Sequence, residues 1–198
     1  STRIRLARNL SGIPFPARMT AEQRKDLKLK VKKAVAASNT PFAKSLKFLD
    51  MSDVPQTEVK AMVERHIISP EFAGSNAERA IILSDDESIS IMIGEEDHIR
   101  IQVIMGGLQL EKAYETAEAL DTLLYNSLQF AFDRNLGFLT ECPTNLGTGL
   151  RASLMLHLPA CESSGEIASL SDTVNKIGFT VRGMYGEGSK AGASLYQI

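Results

Sequence analysis

The chain has 198 residues, of which 43% are hydrophobic and 23% charged. That balance excludes a disordered protein, and the length is enough for a substantial core without staples. A formal net charge of −2 gives no global argument for nucleic acid or a membrane surface, and no apolar run approaches the roughly 18 residues of a spanning helix.

Residues 3–6 alternate basic and apolar, the pattern of a half-buried strand. Pro14 and Pro16 mark a loop. Thr20 followed by Gln23 is a capping-box pattern that opens a helix to about residue 37, with Leu27, Val31, Ala34 and Val35 as its apolar stripe. The basic residues Arg24, Lys25, Lys28, Lys32 and Lys33 read as its solvated faces, because no stacking aromatics interleave them as in a nucleic-acid patch. Residues 55–64 read as a second, short helix ahead of His66. Ile89, Ile91 and Ile93 alternate, and so do Ile99, Ile101 and Val103, which predicts a hairpin around the acidic turn Gly94-Glu95-Glu96-Asp97. Apolar residues from Leu110 through Tyr114, Leu120, Leu124 and Leu128 to Ala131 keep a helical period and predict the longest helix. Leu154, Leu156 and Leu158 alternate as a strand, as do Phe179 and Val181. The order of strands and helices is irregular, without a repeating βαβ unit. The expected fold is therefore α+β, a largely antiparallel sheet with helices on one side. No repeat or linker places a domain boundary.

The ends look cut: the chain begins at Ser1, is strand-like by Arg3, and stops in a strand-like alternation at residues 194–198. We read it as a piece of a longer protein. Two cysteines, Cys142 and Cys161, cannot make a disulfide framework, and without a signal-like segment the expected compartment is a reducing cytoplasm.

Side chains two apart on a strand share a face. Arg3 and Arg5 oppose Ile4 and Leu6. His98, Arg100 and Gln102 oppose Ile99, Ile101 and Val103. Arg151, Ser153 and His157 oppose Leu154, Leu156 and Leu158, and Thr180 with Arg182 opposes Phe179 and Val181. If these strands share a sheet, its face away from the core is a plate of guanidinium groups. Crowded guanidinium groups repel unless an anion neutralises them, and their planar forks match phosphate oxygens. A triphosphate suits such a plate. The plainer reading pairs each arginine with a local carboxylate on a solvated face, and both readings stay open on spacing alone.

Three loops could carry chemistry. Glu95-Glu96-Asp97 is either a solvated turn or a source of a carboxylate that grips a guanidinium acceptor. In the stretch from Thr140 to Arg151, Pro143, Asn145, Gly147 and Gly149 make a turn whose backbone could approach a ligand closely. Cys142 within it is either a buried core thiol or, beside Thr144 and facing arginines, a stabilised thiolate. Gly183 and Gly188 have P-loop spacing, but Ser189-Lys190 inverts the required order and no helix pattern follows, so we reject a P-loop. A glycine-rich loop that presents Glu187 and closes over a substrate fits better. No Cys/His cluster has metal-ligand spacing, and no metal ligand is assigned.

Four stretches together resemble the phosphagen kinases, the ATP:guanidino phosphotransferases. They are Ser1-Thr2-Arg3-Ile4-Arg5-Leu6-Ala7-Arg8-Asn9, Glu95-Glu96-Asp97-His98-Ile99-Arg100, Cys142 through Arg151, and Arg182-Gly183 through Glu187. Within the family, Ser84 through Ile93, Ile67 through Glu71 and Gly183 through Ser189 are similar to the bacterial protein-arginine branch. Gly94 departs from the family's usual Asn, and Lys190, Ala193 and Ser194 depart near the closing loop.

The resemblance implies a phosphagen-kinase (glutamine synthetase-like) catalytic domain over residues 1–198, shortened at both ends. It implies Mg²⁺ and ATP as cofactors, with the nucleotide held by Ser1, Thr2, Arg3, Ile4, Arg5, His66 and Arg100. Arg151, Ala152, Ser153, Leu154 and Met155 would add to that site, as would Arg182, Gly183, Met184, Tyr185, Gly186 and Glu187. Glu96 would match the family's catalytic carboxylate with Glu95 beside it, Glu187 a second carboxylate on the guanidinium, and Cys142 the reactive thiol. The implied activity is phosphorylation of arginine side chains in proteins. Its partners would be proteins with exposed arginine, a regulatory activator and protein-quality-control protease machinery, without membrane or nucleic acid. Two alternatives are a kinase of free arginine or another small guanidine, and a nucleotide-binding regulatory module without catalysis.

Overall fold

The capping box at Thr20 forms both of its bonds. The Gln23 amide donates to Thr20 Oγ1 at 3.2 Å and the Thr20 amide donates to Gln23 Oε1 at 2.9 Å. Helix α1 (Ala21–Ala36) follows and buries Leu27, Val31, Ala34 and Val35, the stripe its spacing dictates. The structure is a computed structural model that describes residues 1–38, 40, 42–183 and 193–198.

The strands are β1 (Thr2–Arg8), β2 (Lys47–Asp50), β3 (Ala80–Leu83), β4 (Ile89–Ile93) and β5 (Ile99–Met105). After a small two-stranded ribbon, β6 (Phe132–Asp133) and β7 (Gly137–Phe138), come β8 (Leu150–His157), β9 (Arg182–Gly183) and β10 (Leu195–Gln197). The main sheet runs β2-β3-β4-β5-β1-β8-β10-β9, and every neighbouring pair is antiparallel. Ile4, Leu6, Ile82, Ile91, Ile101 and Val103 form one apolar face, covered by α1 and by α4 (Leu110–Tyr125). Thr2 Oγ1 fixes the approach to α4, donating to the Gly107 carbonyl at 2.7 Å and accepting from the Gln109 amide at 2.9 Å.

Helices lie on both faces, which corrects the one-sided expectation. Helices α2 (Gln56–Glu64) and α3 (Pro70–Gly74) pack Val59, Met62 and Phe72 onto Ile81, Leu83 and Met92 from the other side. They cover only the β3–β4 end of that face. The half formed by β5, β1 and β8 stays open, and that vacancy in the packing places the site.

Other expectations change. Helix α4 stops at Tyr125 rather than Ala131, because residues 129–131 leave it to pair with residues 9–11 through backbone bonds. Leu128 and Phe130 still enter the core, so apolar spacing continues after the helix has ended. Tyr114, expected in its stripe, is exposed. Phe179 is 57% exposed, and its amide closes the end of α6 (Ile167–Asn175) on the Val174 carbonyl, so no strand forms before Arg182. Leu154, Leu156 and Leu158 are only half-buried, since neither α6 nor α5 (Pro159–Ser163) buries a residue there. Lys28 is not solvated: its Nζ lies 2.5 Å from both Asp50 and Glu78. Among the described residues no helix is long and apolar enough to cross a membrane.

Candidate active site

Register turns the separate arginine stretches into one surface. Arg5 on β1 pairs with Arg151 on β8 and with Gln102 on β5. One step along, Arg3 pairs with Ser153 and Ile104, and one step back Ala7 pairs with Arg100. Arg182 pairs with Gln197, which pairs with Met155. A cleft of about 310 Å³ opens on this face, and Arg3, Arg5, Arg100, Arg151 and Arg182 all line it. His66, Ser69 and Glu71 form one wall and Cys142, Thr144 and Gly149 the other.

The cleft is electrostatically tense. Burial, then the charges of Arg3, Arg100 and Arg151, push the Arg5 guanidinium down to about 8. Burial, then Arg100 and Arg151, push Arg3 down to about 10. Arg151 is lowered by burial, Arg182 and Arg100. The depression is the cost of holding these charges buried, first, and close to one another, second, and a bound anion relieves both. Arg5 Nε is buried without a hydrogen-bond partner among the described residues. Arg3 donates to Gln197 Oε1.

Of the two glutamates at the hairpin tip, Glu96 lines the cleft and Glu95 lies beside it. Arg100 donates from Nη1 to Glu95 at 2.7 Å and from Nη2 to Glu96 at 2.9 Å. Ser69 also donates to Glu95, whose side chain is 5% exposed, while Glu96 is 42% exposed. His66 has a left-handed backbone, φ 61°, and its carbonyl accepts from Gln102 Nε2 at 2.9 Å. Burial, then Arg3, lowers its imidazole below the ordinary value.

The thiol loop is bolted to β1. Arg8, on the core side of its strand, reaches Asp121 at 2.8 Å, lies over the ring of Phe138 at 3.7 Å and donates to the Thr148 carbonyl at 2.9 Å. Gly149 has φ +62°, and its carbonyl accepts from the Ala7 amide at 2.9 Å. A Cβ there would stand 2.6 Å from the Ala7 oxygen, so only glycine fits. Cys142 Sγ lies 3.0 Å from Thr144 Oγ1 and is half-exposed.

Two side cavities join this cleft. One of about 190 Å³ shares Arg3 and His66 and is lined also by Ser1, Ser153 and Met155. The other, about 620 Å³, shares Glu71, Glu96, Arg100 and Cys142 and adds Glu95, Glu141 and Arg24. Of the expected nucleotide residues, Arg3, Arg5, His66, Arg100, Arg151 and Arg182 meet in the cleft, with Ser1, Ser153 and Met155 beside it. Thr2, Ile4, Ala152 and Leu154 project from the opposite face, because strand alternation sends every second side chain there. Gly183 is buried in β9, and Met184, Tyr185, Gly186 and Glu187 lie outside the described residues. His98, expected on the arginine face, precedes β5 and turns inward: the Leu10 amide donates to its Nδ1 at 2.9 Å, and Nε2 lies 2.7 Å from the Pro14 carbonyl. Gln197 was signalled only by the terminal alternation, and the inward turn of Asp97 had no local signal.

Residues 26–198 match the family described as ATP:guanido phosphotransferase, C-terminal catalytic domain. The whole chain is 49% identical to a protein-arginine kinase of Halothermothrix orenii and covers 56% of it; for that of Caldanaerobacter subterraneus subsp. tengcongensis the figures are 43% and 59%. The chain thus spans a little over half the length of these curated relatives. Among solved structures, the duplicated taurocyamine kinase of Schistosoma mansoni with transition-state-analogue components superposes with a TM-score of 0.87 at 25% identity, over 99% of this chain and 28% of that one. A lombricine kinase gives 0.80 at 23% identity, over 99% and 57%, a likeness of fold. With its antiparallel sheet, its arginine-lined cleft and this match over most of its length, the chain belongs to the ATP:guanido phosphotransferase family.

Proposed function

We propose that this protein transfers the γ-phosphoryl group of ATP to arginine side chains of other proteins. The observation that carries the reading is the convergence of five arginines from four strands on one cleft that Glu96 also lines, with Glu95 beside it on Arg100. Arg3, Arg5, Arg151 and Arg182 would neutralise the polyphosphate and the charge that spreads over the transferring group. The smaller cavity beside His66 is the natural continuation for the nucleoside end.

A guanidinium is a poor nucleophile, since it is protonated and its lone pairs are delocalised. Glu96 would align it and take the proton as nitrogen bonds to phosphorus and the bond to the β-phosphate oxygen breaks. Glu187 is the second carboxylate this reading expects. Among the described residues no group of three Asp, Glu, His or Cys side chains is arranged to hold a metal. The expected Mg²⁺ fits instead as an ion carried on the nucleotide phosphates and water, where it would screen phosphate charge.

The larger side cavity favours a protein acceptor over free arginine. It opens onto Glu96 and Cys142 from the side away from the nucleotide cleft, and Glu71, Glu95 and Glu141 line it. Free arginine would have to bring a charged α-carboxylate and α-ammonium into that mouth, where an arginine within a polypeptide carries neutral amides. The names of the relatives that match the whole chain support the same acceptor. Incubation with ATP and either free arginine or an arginine-rich protein, followed by measurement of acid-labile phosphate, tests the reading. Phosphate on the protein is the expected result. Phosphate on free arginine alone would establish the small-guanidine alternative, and nucleotide binding without any transfer the regulatory one.

A further inference from the structure

The three consecutive acids of the β4–β5 turn have three different fates. Glu96 stands over the cleft, Glu95 is held by Arg100 and Ser69, and Asp97 is fully buried at 0% exposure, outside every cavity described above. A buried carboxylate is unfavourable unless donors satisfy it. Asp97 Oδ1 accepts from Asn9 Nδ2 at 2.6 Å and from the Glu141 amide at 2.9 Å. Asn9 in turn accepts from the His98 amide at 2.9 Å and donates to the Leu139 carbonyl at 3.0 Å. Asp97 therefore ties three segments remote in sequence: the hairpin, the end of β1 and the strand of chain leading to the thiol loop. Glu96 is the residue before Asp97, and Cys142 is the residue after Glu141.

We propose that Asp97 is a positioning residue for phosphoryl transfer, fixing Glu96 and Cys142 relative to one another. The role rests on the function proposed above. Thr140, also buried, fixes the thiol end of this link within its own loop by donating from Oγ1 to the Cys142 carbonyl, two residues on, at 2.9 Å. Arg3, Arg5, Arg151 and Arg182 hang on β1, β8 and β9, whereas Arg100 on β5 also meets the hairpin through Glu95 and Glu96. Asp97 thus acts mainly on the acceptor half of the site and reaches the nucleotide half only through Arg100. Misplacement of a reacting group by about 1 Å can lower a rate by about 100-fold, so a modest shift of either loop is enough.

The test compares Asp97→Ala, which removes the oxygen that accepts from Asn9 and the Glu141 amide, and the isosteric Thr140→Val with the parent chain in a Cys161→Ser background, so that Cys142 is the sole thiol. Turnover uses ATP and an arginine-rich protein, ADP affinity is read by calorimetry, and Cys142 is alkylated with iodoacetamide. In Asp97→Ala, kcat falls about 30- to 100-fold, ADP affinity stays within about threefold and the alkylation rate changes by more than about threefold. In Thr140→Val, which removes only the bond to the Cys142 carbonyl and fills nearly the same volume, kcat falls about 10-fold with the same split. Folded variants with parent-like kcat overturn the proposal, and so does an equal loss of kcat and ADP affinity. A parent chain that transfers phosphate to nothing would count against the proposed function instead. The alkylation rate needs no turnover and would still decide the positioning role, an unchanged rate overturning it.

Discussion

Arg100 and Glu96 are joined at 2.9 Å, four residues apart across the hairpin tip, so the carboxylate expected to grip an acceptor guanidinium already grips one from its own chain. The contact demonstrates the fit of this carboxylate to a guanidinium fork. It also pairs a cation of the phosphate cleft with an anion of the acceptor side. Glu96→Gln keeps the size and one acceptor oxygen but cannot take a proton. Transfer should fall at least about 100-fold, the usual weight of a general base, while ADP affinity is retained. Phosphate-transfer assays paired with calorimetry check this, and near-normal turnover would remove Glu96 from its assigned role.

Repulsion among the arginines makes a second expectation, in which affinity and stability move in opposite directions. Arg151→Ala removes one charge from the row that holds Arg5. Nucleotide affinity should drop about 10- to 100-fold, as expected for one contact to a charged group worth about 1.5–3 kcal/mol. The ligand-free protein should melt slightly higher, by about 2 °C, because solvent already screens part of the repulsion. Thermal melts with and without ADP measure both. A lower ligand-free melting temperature would contradict the tense-cleft picture.

Acid sensitivity should arise at His98. Burial pushes its imidazole below the ordinary value, although the Pro14 carbonyl and Asp97 pull the other way. The Leu10 amide donates to Nδ1, which binds only a neutral ring in that geometry. The unfolded chain therefore takes up the proton first. Stability is flat above about pH 6.5 and declines as pH falls from there through the lower folded value. His66, lowered by burial and Arg3, adds a decline of the same sign. His98→Gln should be less stable than the parent at about pH 7.5 and converge with it at about pH 5.5. Urea midpoints at the two values decide it, and a constant gap between parent and variant would exclude His98 as the source.

Period-two alternation made the arginine face legible before any pairing was known, because a strand cannot put Arg3 and Ile4 on the same side. It could not show that Arg5 lies beside Arg151, since that neighbour depends on register between distant strands. Charged residues with remote partners were misread for the same reason. Lys28 meets Asp50 and Glu78 only once β2 and the approach to β3 are in place. Asp97 sat in an acidic run that has the composition of a solvated turn, yet it turns inward to Asn9. His98 kept the alternation but lies just outside the strand, where alternation no longer dictates direction. The end of α4 was hidden because Leu128 and Phe130 stay in the core without helical backbone. Local pattern predicted faces; long-range hydrogen bonding decided which polar residues were buried.

Gly149 offers a test of how firmly the thiol loop is held against β1. Its left-handed backbone alone would cost an alanine about 1 kcal/mol. Its Cβ would also press on the Ala7 carbonyl at 2.6 Å, beside the bond that joins the Ala7 amide to the Gly149 carbonyl. Gly165 is a matched control, with φ +73° and nothing within 4 Å of the added carbon. Gly165→Ala should lower the melting temperature by about 2–4 °C, and Gly149→Ala by about 5–10 °C, since the clash adds to the same strain. Gly149→Ala should also weaken ADP binding, because displaced backbone at this point moves Arg151 two residues on. Equal melting temperatures for the two variants would mean that the loop yields to the extra carbon, and that the close approach to β1 does not hold Arg151 in place.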